Sequence, residues 1–136
     1  MALRKKGKYY YGDNQDDLAL VLNDYAKSNK YPIDEISEVK CIGCGHQIFK
    51  LLSDDDGSGA LCQCLNCSEK KFIRDSQQFI SLEELDNCKC MCDDEDFAIS
   101  VGLSFYQGTK DVRWVYVGAH CSKCGMLGNY IDWNER

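Results

Sequence analysis

The chain has 136 residues, enough for one domain or two very small ones, and its 22 acidic and 16 basic side chains give a formal net charge of −6. This acidic balance argues against a nucleic-acid-binding body, because affinity for nucleic acid comes mostly from basic residues. Charges but no apolar run stand at the start of the chain, so we expect neither a signal peptide nor a membrane-spanning helix.

Ten cysteines are far more than a chain of this length usually contains. Such a content is typical either of a secreted disulfide scaffold or of a metal-binding protein in a reducing compartment. Because we expect no signal peptide, we predict a cytoplasmic protein whose paired cysteines bind metal.

Residues 1–12 are a basic arm, and the remainder, with 12 basic and 22 acidic side chains, has a net charge of −10. The charged side chains of the arm are Arg4, Lys5, Lys6 and Lys8. We expect a disordered or loosely packed terminus. The alternative is a contact to nucleic acid or to a partner, with Tyr9, Tyr10 and Tyr11 available for stacking.

Residues 13–31 have the pattern of an amphipathic helix. Asp13 or Asn14 can cap its start, and Tyr31-Pro32 ends it. One apolar face is formed by residues at helical spacing: Leu18, Val21, Leu22 and Tyr25. We expect this face to pack over part of the β structure that follows.

Residues 39–75 carry two Cys-x-x-Cys pairs, one at each end of a predicted β-hairpin. The pairs are Cys41 with Cys44 and Cys64 with Cys67. Between them lie a strand over 48–52, a turn over 53–59 and a return strand, and a third strand follows near Phe72. Two such pairs separated by a hairpin predict a four-thiolate tetrahedral zinc site, the arrangement called a zinc ribbon.

Residues 88–136 repeat this arrangement after a linker at 76–87 that contains a predicted short helix. Phe97 follows Cys92 by five residues, just as Phe49 follows Cys44 by five. Strands near 97–103 and 112–117 then lead to a second pair of cysteines. The repeat predicts a small metal-stabilised α+β fold, with two tandem antiparallel zinc ribbons and an N-terminal helix.

The second metal site is less clearly defined than the first. The repeat assigns Cys92, Cys121 and Cys124 as ligands, but the fourth is either Cys90 or Cys88. We prefer Cys90, because a short turn can hold two ligands close together, and we keep Cys88 as the alternative. Cys62 lies outside both sites and is predicted to be a free, packed thiol.

Each predicted site is closed by four cysteines, so we expect two structural Zn²⁺ ions and no open position for a catalytic water. His46 and His120 each stand beside a cysteine pair and could hydrogen-bond a thiolate. No serine–histidine or carboxylate pair has a recognisable catalytic spacing. We therefore predict that the protein is not an enzyme.

Several motifs outside the cysteine pairs are also distinctive. They are the Lys-Tyr-Tyr-Tyr-Gly-Asp start at 8–13, the block at 111–118 and the Gly-x-Tyr-x-Asp-Trp-like end at 128–133. With the cysteine pairs, they make nearly the full length resemble small uncharacterised bacterial cytosolic proteins with tandem zinc ribbons. The resemblance implies that fold and a bacterial origin but no activity. It also implies that Asp93 and Asp94 replace glycines, which would tighten or distort the second site.

The predicted function is binding of a macromolecular partner, most simply a protein with a basic surface. The candidate contact residues are Arg113, Trp114, Tyr116, Tyr130 and Trp133. One concrete form is an immunity protein that neutralises a basic bacterial toxin. The alternatives are a nucleic-acid-binding zinc-ribbon protein of transcription or translation, which the basic arm favours, and a thiol sensor that uses Cys62 and Cys88.

Overall fold

The computed structural model describes residues 3–7, 9–54, 57 and 59–135. Lys8 of the basic arm and part of the turn predicted over 53–59 lie outside these residues. The described chain contains one α-helix, α1 (Gln15–Ser28), ten strands and two short 3₁₀ segments. The strands are β1 (Arg4–Lys6), β2 (Tyr9–Tyr11), β3 (Glu35–Glu38), β4 (Phe49–Ser53), β5 (Ala60–Cys64), β6 (Lys70–Phe72), β7 (Asp86–Asn87), β8 (Phe97–Phe105), β9 (Val112–Cys121) and β10 (Met126–Asn134).

The predicted helix is confirmed with Asn14 as its cap, and it ends at Ser28, ahead of the predicted Tyr31-Pro32 break. The Asn14 side chain caps α1 by accepting a hydrogen bond from the backbone N–H of Asp17 at 3.0 Å. At the other end the backbone N–H of Asn29 donates to the carbonyl of Tyr25 at 3.0 Å. Leu18 and Leu22 of the apolar face are fully buried.

The basic arm is not a loose terminus, which corrects the expectation drawn from its composition. Its strand β1 pairs antiparallel with β2, and β2 pairs in turn with β10. The side chain of Lys5 extends over the Tyr10 ring, with its nitrogen 5.3 Å from the ring centroid. β1 forms the outer edge of the sheet, where basic side chains discourage pairing with another chain.

The strands form one sheet in the order β1-β2-β10-β9-β8-β4-β5-β6, with β3 also paired to β8 and β7 also paired to β4. We call β4, β5 and β6 with the cysteines at 41–67 the first unit, and β8, β9 and β10 with those at 90–124 the second unit. The two units meet where Phe49 pairs with Phe97, the two residues related by the sequence repeat.

Each unit also receives a strand from the segment that precedes the other unit. β3 precedes the first unit but pairs with β8 of the second, and β7 precedes the second unit but pairs with β4 of the first. The backbone N–H of Val39 donates to the Ile99 carbonyl at 2.9 Å, and that of Cys88 donates to the Leu51 carbonyl at 2.7 Å. The units are therefore interlocked within one sheet.

The segment between the units contains two 3₁₀ turns, Ser76–Gln78 and Leu82–Glu84, where a short helix was expected. Ser81 stands before the second turn but makes no capping hydrogen bond through its side chain. The buried Ser76 hydroxyl accepts from the backbone N–H of Ala60 at 3.0 Å, and this contact fixes the segment against β5.

The second unit has a hydrophobic core on each of its faces. Helix α1 covers one face, where Leu18 and Leu22 pack with Leu127. The opposite face packs against the first unit in the larger core, which also contains five of the cysteines. Side chains alternate between the two faces along β9, since Tyr116 lies beneath α1 while Val115 and Val117 enter the larger core.

Gly118 of β9 allows α1 to approach the sheet closely. A Cβ atom at this position would lie 2.6 Å from Cδ1 of the fully buried Leu22. We expect Gly118→Ala to reduce the free energy of unfolding by about 1–3 kcal/mol in urea denaturation of the metal-loaded protein. Gly128→Ala on β10 is the matched control, because its Cβ would meet no atom of the described residues within 4 Å. Equal effects of the two substitutions would contradict this account of the helix packing.

Candidate metal centres

The structure brings eight of the ten cysteines into two separate clusters, and within each cluster all sulfurs lie within 4.8 Å of one another. We call the cluster of the first unit centre 1 and that of the second unit centre 2. Centre 1 consists of Cys41, Cys44, Cys64 and Cys67, and centre 2 of Cys90, Cys92, Cys121 and Cys124. None of the ten cysteines forms a disulfide.

The spacing of the sulfurs fits a tetrahedral metal ion. Zinc bound to four thiolates at about 2.3 Å holds the sulfurs about 3.8 Å apart. In centre 1 the Cys41–Cys67 and Cys44–Cys64 sulfur distances are 3.5 and 3.6 Å. In centre 2 the Cys90–Cys124 and Cys92–Cys121 distances are 3.4 and 3.6 Å. A small contraction or expansion of each cluster would therefore accommodate the ion.

The four cysteine pairs lie on turns of one design. In each turn the residue after the second cysteine has a left-handed backbone, and its N–H donates to the carbonyl of the first cysteine at 2.8–3.1 Å. These residues are Gly45, Ser68, Asp93 and Gly125. The turn directs both thiols of a pair towards the same point, and two facing turns complete a centre.

The turn design selects Cys90 over Cys88 as the fourth member of centre 2. The N–H of Asp93 donates to the Cys90 carbonyl at 2.9 Å, the hydrogen bond that defines the other turns. This turn is one residue shorter than the others. Cys88 lies outside the cluster, because its backbone is paired with Leu51 of β4.

Substitutions at two of these left-handed positions, Gly45 and Asp93, should change the free energy of unfolding in opposite directions. Gly45→Ala places a Cβ at φ +76°, and no atom of the described residues lies within 4 Å of it, so the effect on stability is conformational. We expect a loss of roughly 1–2 kcal/mol in the free energy of unfolding of the metal-loaded protein. Asp93→Gly relieves the same conformation at φ +73° and should stabilise by up to about 1 kcal/mol. Urea denaturation measures both, and equal signs would contradict the turn assignment.

Within each pair the first cysteine is buried and the second is closer to solvent. Cys44 is exposed, and its pKa is lowered to about 6, first by a hydrogen bond from the Asn66 side chain and then by the backbone N–H of His46. Burial instead raises the pKa of Cys90 and Cys121. A metal ion would supply the positive charge needed to ionise these buried thiols.

The two histidines do not use their rings as thiolate donors. The Nε2 atom of His120 lies 2.9 Å from the backbone carbonyl of Gly12, which ties the end of β9 to the N-terminal segment. His46 acts on Cys44 through its backbone N–H. The predicted contact between a histidine ring and a thiolate is therefore not formed. Near centre 1 His46 contacts Cys44 through its backbone, and near centre 2 the His120 ring contacts the backbone of Gly12.

The two remaining cysteines are packed thiols. Cys62 on β5 is 1% exposed, and burial raises its pKa to about 12. Burial likewise raises the pKa of Cys88 to about 11. Thiols with such pKa values are almost entirely protonated at neutral pH, so they react slowly with oxidants.

Two of the predicted contact residues belong to the core, which corrects their assignment to a binding surface. Tyr116 is 0% exposed beneath α1, where its hydroxyl donates to the backbone carbonyl of Tyr31 at 2.8 Å, and Trp133 is 5% exposed. The Tyr130 hydroxyl is buried too. Arg113, Trp114 and Tyr130 are each partly exposed, and Arg113 and Trp114 pack against Tyr31.

Exposed apolar side chains between the ligands were missed by sequence reasoning. Ile42 is 81% exposed and Met91 67%, and Leu65 is exposed as well. Each lies directly after the first cysteine of a pair, at the tip of a turn. The sequence signal for these exposed side chains is an apolar residue directly between two closely spaced cysteines, a turn position that a polar residue could also fill.

Comparison with protein-family models, with curated proteins and with solved structures found no match for this chain. Within the part of the chain that the structure describes, no helix combines the length and the apolar character needed to cross a lipid bilayer.

Proposed function

We propose that the protein is a non-catalytic, cytoplasmic binding protein built from two tandem zinc ribbons. Its two Zn²⁺ ions are structural: each would be held by four cysteines of the chain, which leaves no coordination position for water or substrate. Four sulfurs in a tetrahedral arrangement suit zinc, but they also suit iron. A colourless protein with two equivalents of zinc by elemental analysis supports zinc, whereas visible absorption from thiolate-bound iron would contradict it.

The observation that carries the binding role is the exposure of apolar side chains at the tips of rigid turns. Ile42 and Leu65 belong to the two turns that converge on centre 1, and Met91 lies between two ligands of centre 2. We call these three residues the turn-tip surface. Because metal ligation would fix the turns, these side chains can be buried by a partner with little loss of backbone entropy.

The charge of the protein favours a basic partner. Residues 13–136 carry a net charge of −10, and four thiolates around each dication would make the metal-loaded body more negative still. A protein with an apolar patch inside a basic surface would complement the turn-tip surface and its surroundings. An immunity protein that neutralises a basic bacterial toxin is one form of this proposal, and it accords with the resemblance to bacterial proteins.

Co-purification of the metal-loaded protein from extracts of its own host tests the binding role. We expect a basic protein in stoichiometric amount, bound less tightly at high salt. The double variant Ile42→Ser/Leu65→Ser should lose this partner while keeping two metal ions. Leu20→Ser on α1, which is 53% exposed and distant in sequence from both centres, should retain it. A partner that the double variant retains would contradict the proposed surface.

Nucleic-acid binding remains a second candidate, supported by the basic strand β1. Arg4, Lys5 and Lys6 are all exposed on the edge of the sheet. These residues also have a structural explanation, because basic side chains on an edge strand discourage pairing with another chain. In addition, Lys5 and Lys6 make cation–π contacts with the tyrosines of β2. A salt-dependent gel shift with RNA or DNA that is abolished by neutralising these three residues would favour this candidate over protein binding.

A thiol sensor is the third candidate and has the weakest support. Cys62 is buried, and burial raises the pKa of both Cys62 and Cys88, which slows their oxidation. Zinc loss under mild peroxide, prevented by replacing these two cysteines, would be the result in favour of a sensor.

A further inference from the structure

An open groove lies between helix α1 and the strands β2 and β10. Its volume is about 340 Å³, at the lower end of the range of about 300–1,000 Å³ that is typical of ligand pockets. The residues that line it come from all three elements: Tyr9 and Tyr10 of β2, Val21, Asp24, Tyr25 and Ser28 of α1, and Leu127, Gly128 and Asn129 of β10. Two tyrosines of the Lys-Tyr-Tyr-Tyr-Gly-Asp motif therefore line one cavity.

The helical side of the groove follows from the periodicity of α1. Val21, Asp24, Tyr25 and Ser28 are spaced at i, i+3, i+4 and i+7, so they lie along one side of the helix. Val21 is buried and packs with Leu127 in the core beneath α1. The other three residues of the stripe are exposed. The groove thus has an apolar base and a rim that is aromatic and acidic.

The tyrosine rings of the rim are held in place by the surrounding structure. Tyr25 packs edge-on against the buried Tyr116, with ring centroids 6.0 Å apart, and its hydroxyl donates to Asp132 at 3.3 Å. Tyr10 is fixed by the pairing of β2 with β10. The face of such a ring attracts a cation within about 6 Å of its centroid. The chain itself shows this attraction, because the Nζ atom of Lys5 lies 5.3 Å from the Tyr10 centroid.

Two hydrogen-bond acceptors of the groove lack a donor among the residues that the structure describes. Asp24 is exposed and forms no ion pair with any of the described basic side chains. The Oδ1 atom of Asn129 is buried without a hydrogen-bond partner. The orientation of this amide is fixed, because its Nδ2 donates to the Asp132 carboxylate at 3.2 Å, and an ionised carboxylate only accepts. A cation that carries N–H donors would complement both acceptors.

We infer that this groove receives the side chain of a lysine or arginine of the partner protein, whose charged end meets the tyrosine rings and the Asp24 carboxylate. The inference rests on the proposed function, in which the partner is basic. The methylene groups of such a side chain would pack on Val21 and Leu127 at the base. The net charge of −10 on residues 13–136 would favour the approach of a basic protein.

The test is a titration of the ¹⁵N-labelled, metal-loaded protein with N-acetyl-arginine amide, followed by nuclear magnetic resonance. We expect chemical-shift changes at the residues of the groove. N-acetyl-citrulline amide, a neutral analogue of the same shape, should bind much more weakly. Lys5→Met should strengthen binding of the arginine amide about twofold, because it removes a competing ammonium group from the Tyr10 ring.

A charge-matched pair of variants separates the groove from the general acidity of the protein. Asp24→Asn should weaken binding of the arginine amide by up to about fivefold. Asp16→Asn removes an equal charge from an exposed position of the same helix that does not line the groove, and it should leave the affinity unchanged.

Equal binding of the arginine and citrulline amides, or equal weakening by the two substitutions, would overturn the inference. Either result would leave the proposed function standing, because co-purification of a partner from host extracts tests it separately. Where a basic partner co-purifies, Asp24→Asn should weaken its binding and Asp16→Asn should not. A groove that binds arginine amide in a protein that captures no basic partner would overturn the proposed function, and with it the assignment of the cation to a partner.

Discussion

Cys90→Ser is expected to reduce the metal content from two ions to one, whereas Cys88→Ser should leave both ions bound. The physical reason is the turn that contains Cys90: its carbonyl accepts the N–H of Asp93, and its sulfur lies 3.4 Å from that of Cys124. Cys88 instead pairs with Leu51 and contributes only to packing. The measurement is native mass spectrometry of each purified variant.

The stability of the two variants should differ as strongly as their metal content. Loss of a structural zinc ion removes on the order of 10 kcal/mol of apparent folding free energy, whereas truncation of a partly buried thiol removes about 1 kcal/mol. Cys44→Ser serves as a control, because it should also lose one ion, in this case from centre 1. Retention of two ions by Cys90→Ser, together with loss of one by Cys88→Ser, would contradict the assignment of centre 2.

Removal of both metal ions by a strong chelator is expected to unfold the whole protein. Four ligands (Cys41, Cys64, Cys90 and Cys121) are members of the larger core, so unligated turns would disturb the packing of both units. The total folding free energy of a domain is about 5–15 kcal/mol, comparable with the contribution of a single structural zinc ion. Circular dichroism before and after chelation, with elemental analysis of the product, measures this effect.

Two controls make the chelation experiment specific. Adding excess zinc together with the chelator should preserve the native spectrum, and adding zinc after chelation should restore it. A metal-free protein, verified by elemental analysis, whose spectrum equals that of the loaded protein would show that the interlocked sheet is stable without metal.

The interlocking of the two units also predicts that they unfold together. β3, which precedes the first unit, pairs with β8 of the second, and β7, which precedes the second unit, pairs with β4 of the first. Phe49 also pairs directly with Phe97. Neither unit can be removed without leaving unpaired strands in the other. This arrangement explains why loss of metal from one centre should affect the other unit.

The two four-cysteine clusters and the helix could be predicted from the sequence because their signals are local. Asn14 caps α1 through its own side chain, and Cys-x-x-Cys spacing is itself the geometry of a turn. The choice between Cys88 and Cys90 needed the structure, because it depends on a hydrogen bond within a turn that is one residue shorter than the others.

The pairing of β1 and of β3 could not be predicted because their stability comes from distant strands. Glu35–Glu38 is short and polar, and it becomes a strand only because β8 offers a free edge. Arg4–Lys6 likewise depends on β2 and β10. Tyr116 was predicted to contact a partner, because the burial of its side of β9 by α1 is a tertiary effect that no local signal shows.

Native mass spectrometry of the protein purified gently from its own host tests the central claim, that two four-cysteine centres hold structural zinc. We predict a mass that corresponds to two zinc ions, with all ten cysteines reduced. A mass with fewer than two zinc ions and with the deficits expected of disulfides would contradict the account of both centres.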